Sequence, residues 1–220
     1  KTSVHDTGFE RCPSCGQEFE FTYWDAIEAN QNPELAYKVM DFSLFAYTCP
    51  HCGHNGYILY PVVYNDRKKK ILVYFVTPTV ENNIMYKQII KPSFIPEIFR
   101  QGYVFRVVQD MKVFSEKVRI LGMGFDDRVM EAYKYILIYS DKKKFGKIER
   151  ADFVEDVDQG YSFYLLKNKI VDQVVPFDQK VYDKINLDFF SNSDIHSKDI
   201  RVIDMKWAKD YLSQFLNLNK

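Results

Sequence analysis

The feature that most constrains this chain is a short turn written twice, Cys12-Pro13-Ser14-Cys15-Gly16 and Cys49-Pro50-His51-Cys52-Gly53. Between them the two turns hold all 4 cysteines of the 220-residue sequence. Two thiolates separated by two residues reach one tetrahedral ion because the backbone turns sharply between them. Proline after the first cysteine sets φ for that turn, and glycine after the second enters the left-handed conformation that points backbone amides at sulfur. Strand-like stretches lie on the far side of each turn, the arrangement of a zinc ribbon. Four sulfur ligands close a tetrahedral shell, so Cys12, Cys15, Cys49 and Cys52 are expected to hold one structural zinc ion with no position left open for catalysis.

Other uses of the cysteines compare as follows. Disulfide frameworks belong to small secreted chains, and this chain is large. A redox dithiol needs one C-x-x-C at a helix start inside a βαβ unit, whereas both motifs here precede strands. A rubredoxin-like iron site uses the same four thiolates and stays open as an alternative.

A hydrophobic content of 46% and an aromatic content of 16% support a well-buried core. No apolar run approaches the roughly 20 residues of a membrane-spanning helix. The opening KTSVHDTGFER lacks the apolar centre of a secretory signal, which sets the expectation of a cytoplasmic protein with no membrane contact. A formal net charge of zero conceals an asymmetry: residues 1–66 net −6, residues 67–150 net +9 and residues 151–220 net −3. The cysteine-bearing third is the acidic one, the wrong sign for a knuckle that presses on phosphates. Two basic runs, Arg67 to Lys70 and Lys142 to Lys144, read as solvated turns, or as a basic patch if they meet in space. Tyr57, Tyr60, Tyr64, Tyr74 and Phe75 read as core, or as a stacking platform for bases.

Patterning assigns the elements. Glu18 to Tyr23 alternates as a half-buried strand. Asn32-Pro33-Glu34 places a capping side chain, a first-turn proline and an acid ahead of a helix from Pro33 to about Asp41. Phe45 to Thr48 is a short strand entering the second cysteine pair, Tyr57 to Tyr64 a strand leaving it, and Ile71 to Val76 pairs back across Asn65 to Lys70. Val107, Val108, Met111, Phe114, Val118 and Leu121 predict an amphipathic helix over 105–121. Asp126 or Asp127 caps a second helix, and the short Gly122-Met123-Gly124 connection predicts a helical hairpin. Ala151 to Val157, Tyr161 to Leu166 and Ile170 to Val175 predict a three-stranded meander. Val181 to Phe190 is a weak helix, Ser191 to Lys198 a loop, and Asp204 opens a last helix burying Trp207, Tyr211, Leu212, Phe215 and Leu216.

The order of residues resembles the CpXC domain family of bacteria and archaea. The resemblance rests on the two cysteine turns, on Trp24-Asp25-Ala26-Ile27 and Asn32-Pro33-Glu34-Leu35 between them, and on His54, Gly56-Tyr57 and Tyr60-Pro61 after them. Phe105-Arg106-Val107-Val108 and Phe125 to Glu131 extend it, so that it covers about residues 10–138. It implies a zinc-binding module and adds no reaction.

His51 and His54 flank Cys52 but are surplus to a complete shell, which leaves them at the surface or supporting the ligands. His5 and His196 stand alone in polar stretches. Asp126-Asp127-Arg128 is a capping arrangement, with metal or acid–base work as the competing use. No phosphate loop, nucleophile elbow or spare cysteine with a histidine is present. The fold class expected is α+β: zinc-ribbon hairpins with an inserted helix and a helical hairpin over 1–140, then a C-terminal meander with a closing helix over 141–220. The expected role is a non-catalytic interaction or scaffold module with a protein partner. The alternatives are a nucleic-acid-binding zinc ribbon and an enzyme whose site lies between the two units.

Overall fold

A computed structural model of the protein describes residues 2–91, 93–94, 97, 101–140, 148–158, 160–191 and 200–217. Among these residues are 10 strands and 6 helices, an α+β fold. They fall into two compact units, Lys1–Gly122 with Lys198–Val202, and Met123–Ser197 with Ile203–Lys220. Lys142 to Lys144, His196 and the Ser191–Lys198 loop beyond Ser191 lie outside the described residues.

The first unit runs β1 (Val4–Arg11), β2 (Glu18–Glu28), α1 (Pro33–Met40), β3 (Ala46–Thr48), β4 (Asn55–Tyr57), β5 (Val62–Asp66), β6 (Ile71–Phe75), α2 (Val80–Ile89), β7 (Val104–Val108) and α3 (Met111–Gly122). Five strands form one sheet in the order β1-β2-β5-β6-β7, and β3 and β4 form a separate two-stranded ribbon. The β1–β2 and β5–β6 pairs are antiparallel, while β2–β5 and β6–β7 are parallel. Phe19 and Phe21 bury as the alternation of β2 predicts, with Glu18, Glu20 and Thr22 exposed. They join Ile27, Val39, Phe45, Val62, Val73, Phe75 and Phe114 in one core. Phe45, Phe75 and Phe114 pack ring on ring, with centroids 5.3 Å and 5.5 Å apart along the chain of contacts. Each such side chain contributes about 1.5–3 kcal/mol on burial. Phe105, Val107, Val76 and Ile89 make a second cluster with Leu72, Tyr74 and Met85.

Four local departures from the patterning have physical causes. Residues Val104–Val108 form β7, and the helix begins at Met111. This strand is buried along almost its whole length, so its apolar run has no two-residue alternation and continues the helical spacing beyond it. Asp110 marks the true start, accepting from the amides of Lys112 and Val113 at 2.8 and 3.0 Å. The strand predicted over Tyr57 to Tyr64 is broken between β4 and β5, where Pro61 has no amide to give a ladder. Asn32 does not cap α1 with its side chain: its Oδ1 accepts from Ser3 at 2.8 Å instead. The strand β1 and the helix α2 carry no clear period, α2 because Val80 and Ile84 are exposed rather than buried.

The second unit holds α4 (Asp127–Ser140), β8 (Arg150–Asp156), β9 (Gly160–Lys167), β10 (Ile170–Pro176), α5 (Gln179–Phe189) and α6 (Met205–Asn217). The meander is antiparallel in the order β10-β9-β8, as predicted. The two helices expected to pair as a hairpin divide between the units, and α4 packs against α5, α6 and β8. Phe153, Phe163 and Tyr133 centre the core, with Tyr133 4.7 Å from Phe163 by ring centroid. Asp126 caps α4 through the amide of Arg128 at 2.9 Å and also pairs with that arginine's guanidinium at 2.6 Å. Tyr211 and Leu212 are buried on α6, and Trp207 stacks on Tyr211 at 5.1 Å. Among the described residues, no helix is long and apolar enough to cross a membrane.

Candidate metal centre

The two cysteine turns close two hairpins of the first unit, one between β1 and β2 and the other between β3 and β4. Their backbones repeat each other. The amide of Cys12 donates to Gln17 O at 2.9 Å and that of Gly16 to Cys12 O at 2.9 Å. In the second turn Cys49 donates to His54 O at 2.8 Å and Gly53 to Cys49 O at 2.9 Å. Gly16 and Gly53 sit at φ +73 and +75, the left-handed conformation expected after the second cysteine of each pair.

This repetition aims four sulfurs at one point. Cys12 Sγ lies 3.7 Å from Cys52 Sγ, and Cys15 Sγ lies 3.8 Å from Cys49 Sγ. All four sulfurs fall within 4.8 Å of one another, and none is in a disulfide. A tetrahedral shell with metal–sulfur bonds of about 2.3 Å has sulfur–sulfur edges of about 3.8 Å. The set can hold a metal ion. Cys12 and Cys49 are buried at the floor while Cys15 and Cys52 face out.

The electrostatics agree with that use. Burial opposes ionisation of Cys12, yet the amides of Cys15 and Ser14 and the neighbouring thiols Cys49 and Cys52 bring it down to about 6. Cys15 receives an amide from Gln17, which favours its thiolate, but partial loss of water around its sulfur and the sulfurs of Cys52, Cys12 and Cys49 push it up to about 12 although its side chain faces out. One sulfur ionises easily and a neighbouring one resists, because charge on one thiolate opposes charge on the next at this spacing.

Tyr47 on β3 flanks the cluster: burial and then the charge of Cys12, Cys49 and Cys52 raise its phenol. Its ring stacks on Phe19 of β2 at 4.9 Å and lies over Gly56. The exposed His51 ring contacts Glu18 O through Nε2 at 3.0 Å, linking the second turn to the start of β2. His54 contributes its carbonyl to the turn and leans toward Tyr47 at 6.2 Å between ring centroids. Gln17 and His54 as turn acceptors follow from the equal spacing of the two motifs; Gly56 enters the sequence reading only through the family resemblance and Tyr47 only as part of a short strand, and their contact carries no signal because it depends on how β3 pairs with β4.

The other candidate residues disperse. His5 packs beside Trp24 at 4.8 Å. Tyr60, Tyr64 and Phe75 are core, Tyr57 is exposed, and Tyr74 lies half-buried in the second cluster. In the first basic run, Arg67 makes an ion pair with Glu28 at 2.8 Å, while Lys69 and Lys70 donate to the carbonyls of Gly122 and Gln101.

No curated protein and no solved structure matches the chain. The family model for the CpXC protein matches residues 11–134, more than half of the 220-residue chain, and takes in both cysteine turns. Paired C-P-x-C turns that converge on one point within the matched span place this chain in the CpXC family.

Proposed function

We propose that Cys12, Cys15, Cys49 and Cys52 hold one zinc ion in a structural role, and that the chain is a non-catalytic interaction or scaffold module acting through a protein partner. The observation that carries the metal assignment is the pair of sulfur–sulfur edges at 3.7 and 3.8 Å, the spacing of a tetrahedral thiolate shell. Four protein sulfurs use every position of such a shell, so a bound zinc has nowhere to take a substrate or activate water. A thiolate site of this kind suits a reducing, cytoplasmic setting. The scaffold role rests on the closed shell together with the lack of a catalytic motif in the sequence.

Elemental analysis of protein purified without added metal tests the first half: one zinc per chain supports it, and neither zinc nor iron overturns it. Iron at the same sulfurs would colour the protein through thiolate charge transfer and would replace zinc in the reading while keeping the ligands. Affinity capture from the source cell, with wild type and Cys49→Ser in parallel, tests the second half. A stoichiometric partner retained by wild type and lost with the clasp is the expected result; turnover in a broad substrate screen, abolished by changes at one cluster, would overturn it.

A further inference from the structure

Outside the cysteine cluster, the first unit carries an open cleft of ≈ 350 Å³ lined chiefly by Asp6, Gly8, Tyr23, Asp25, Tyr60 and Pro61. Its construction follows from the β1–β2 ladder. Asp6 stands opposite Tyr23, and Gly8 opposite Phe21. Tyr23 lies so close over Gly8 that a Cβ there would sit 2.9 Å from its Cε2. Glycine is what allows β1 to approach that ring. Further along, Val4 pairs with Ala26 while His5 pairs with Trp24, which leaves Asp25 as the extra residue of a bulge. Bulges re-aim side chains out of the regular ladder. Here the bulged carboxylate is near enough to Tyr60 for its charge to act on the phenol.

The lining divides by chemistry. Tyr23 and Tyr60 meet edge to face with centroids 5.2 Å apart, and both hydroxyls are already engaged, Tyr23 donating to Glu10 and Tyr60 to Leu44 O. What they offer the cleft is ring surface, extended by Pro61. Against that floor stand two carboxylates. Among the described residues, Asp6 accepts only from the adjacent amide of Thr7, at 2.8 Å, and Asp25 has no hydrogen bond or ion pair. Among the described residues no lysine or arginine lines the cleft, in a segment of the chain that nets −6 over residues 1–66. Aromatic carbon beneath paired anions is the environment that recognises a cation carried on an apolar stem.

We propose that this cleft binds an organic cation, an ammonium or guanidinium group, with Asp6 and Asp25 meeting the charge and Tyr23, Tyr60 and Pro61 packing the stem. Two sources carry that chemistry: a free amine, or the side chain of a basic peptide lying along β1. The second has a ready track, since β1 is an edge strand with no outer neighbour among the described residues. The opposite edge of the sheet, β7, is engaged: Val107 donates to Arg201 O at 2.8 Å. The site stands apart from the zinc reading, and zinc content measured on every variant separates a failure of one from a failure of the other.

The test is amide-resolved NMR titration of the full chain with n-butylammonium chloride, with N-acetyl-lysine amide, with a short lysine-centred peptide and with neutral n-butanol. Saturable shifts at Gly8, Asp25 and Tyr60 with the ammonium probes, and none with n-butanol, are expected. Asp6→Asn/Asp25→Asn, at two exposed positions that do not hold the core, should weaken ammonium binding by about tenfold or more at unchanged melting temperature and zinc content. A peptide that binds more tightly than the free amine and slows hydrogen exchange in Val4–Arg11 supports the site with a peptide source; equal affinity supports it with a free-amine source. Failure of the cations to saturate, n-butanol binding as well as n-butylammonium, or full affinity in the double variant would each overturn the proposal.

Discussion

The two cysteine turns are chemically alike and structurally unequal. The first caps β1 and β2, of 8 and 11 residues, and β2 continues through β5 into a five-stranded sheet. The second caps β3 and β4, of 3 residues each, paired among the described residues only with each other. A lone two-stranded hairpin is marginal in water. The ribbon leans on Phe45 at its base, on the Tyr47–Phe19 stack and on the His51–Glu18 contact, and an ion held by all four sulfurs would join it to the first turn. The difference teaches that a shared metal need not stabilise both halves of a site equally. It would tie a weak element to a strong one.

The largest expected effect comes from breaking that tie. Structural zinc contributes on the order of 10 to 16 kcal/mol of apparent binding energy in finger peptides, as much as a whole domain's typical stability of about 5 to 15 kcal/mol. Chelation or Cys49→Ser should therefore destabilise the first unit severely, with amides of residues 46–57 losing exchange protection before those of β5 and β6. Trp24 on β2 and Trp207 on α6 report one unit each, so single-tryptophan variants follow the two separately. Simultaneous loss of protection in ribbon and sheet would refute the unequal support.

Alkaline pH should act on the sheet side. Tyr23 and Tyr60 are pushed up to about 12 from 10.0, by burial first, then for Tyr23 by Glu10 and for Tyr60 by Asp25; Tyr64 moves in the same direction through burial and Asp66. Folded pKa values above the unfolded one mean stability that is complete below pH 10.0 and is lost as pH rises toward about 12. Denaturant titrations across that window, read at Trp24, check it; a flat midpoint would show these phenols ionise freely while folded.

Smaller changes probe the ribbon itself. At Gly56 a Cβ would lie 2.8 Å from Tyr47 Cε1, so Gly56→Ala should cost about 1–3 kcal/mol and lower metal affinity measured by chelator competition. Gly16→Ala and Gly53→Ala meet nothing within 4 Å and pay only for their positive φ, about 1–2 kcal/mol each by denaturation. Equal costs at these two matched positions, beside a larger loss of metal affinity for Gly53→Ala, would sharpen the contrast between the turns. His51→Ala removes one contact to Glu18 O and should cost about 0.5–1.5 kcal/mol, with the metal retained.

Much of this molecule is readable from its residues because the relevant forces are local. Proline and glycine around each cysteine pair dictate a turn, the alternation of β2 dictates its buried face, and the spacing of β-prone runs dictates the meander. Asp126 reads as a cap because a carboxylate ahead of a helix finds free amides wherever that helix packs. Where a segment is buried on both faces, as in Val104–Val108, burial erases the period that separates strand from helix. The short link at Gly122-Met123-Gly124 reads as a hairpin turn, yet α3 and α4 find their packing partners in different units, because apolar faces settle where complementary surface is.

By itself, then, the sequence determined the four sulfurs, their two turns and the α+β class, since all of these rest on residues close together in the chain. Tertiary structure alone decided that the sulfurs converge at 3.7 and 3.8 Å, that one turn stands on a broad sheet and the other on a slender ribbon, and that a bulge in β2 brings Asp25 beside Asp6 and two tyrosines. Those outcomes depend on register and strand order between segments tens of residues apart, where no local propensity chooses among the pairings and only the packing of the whole unit does.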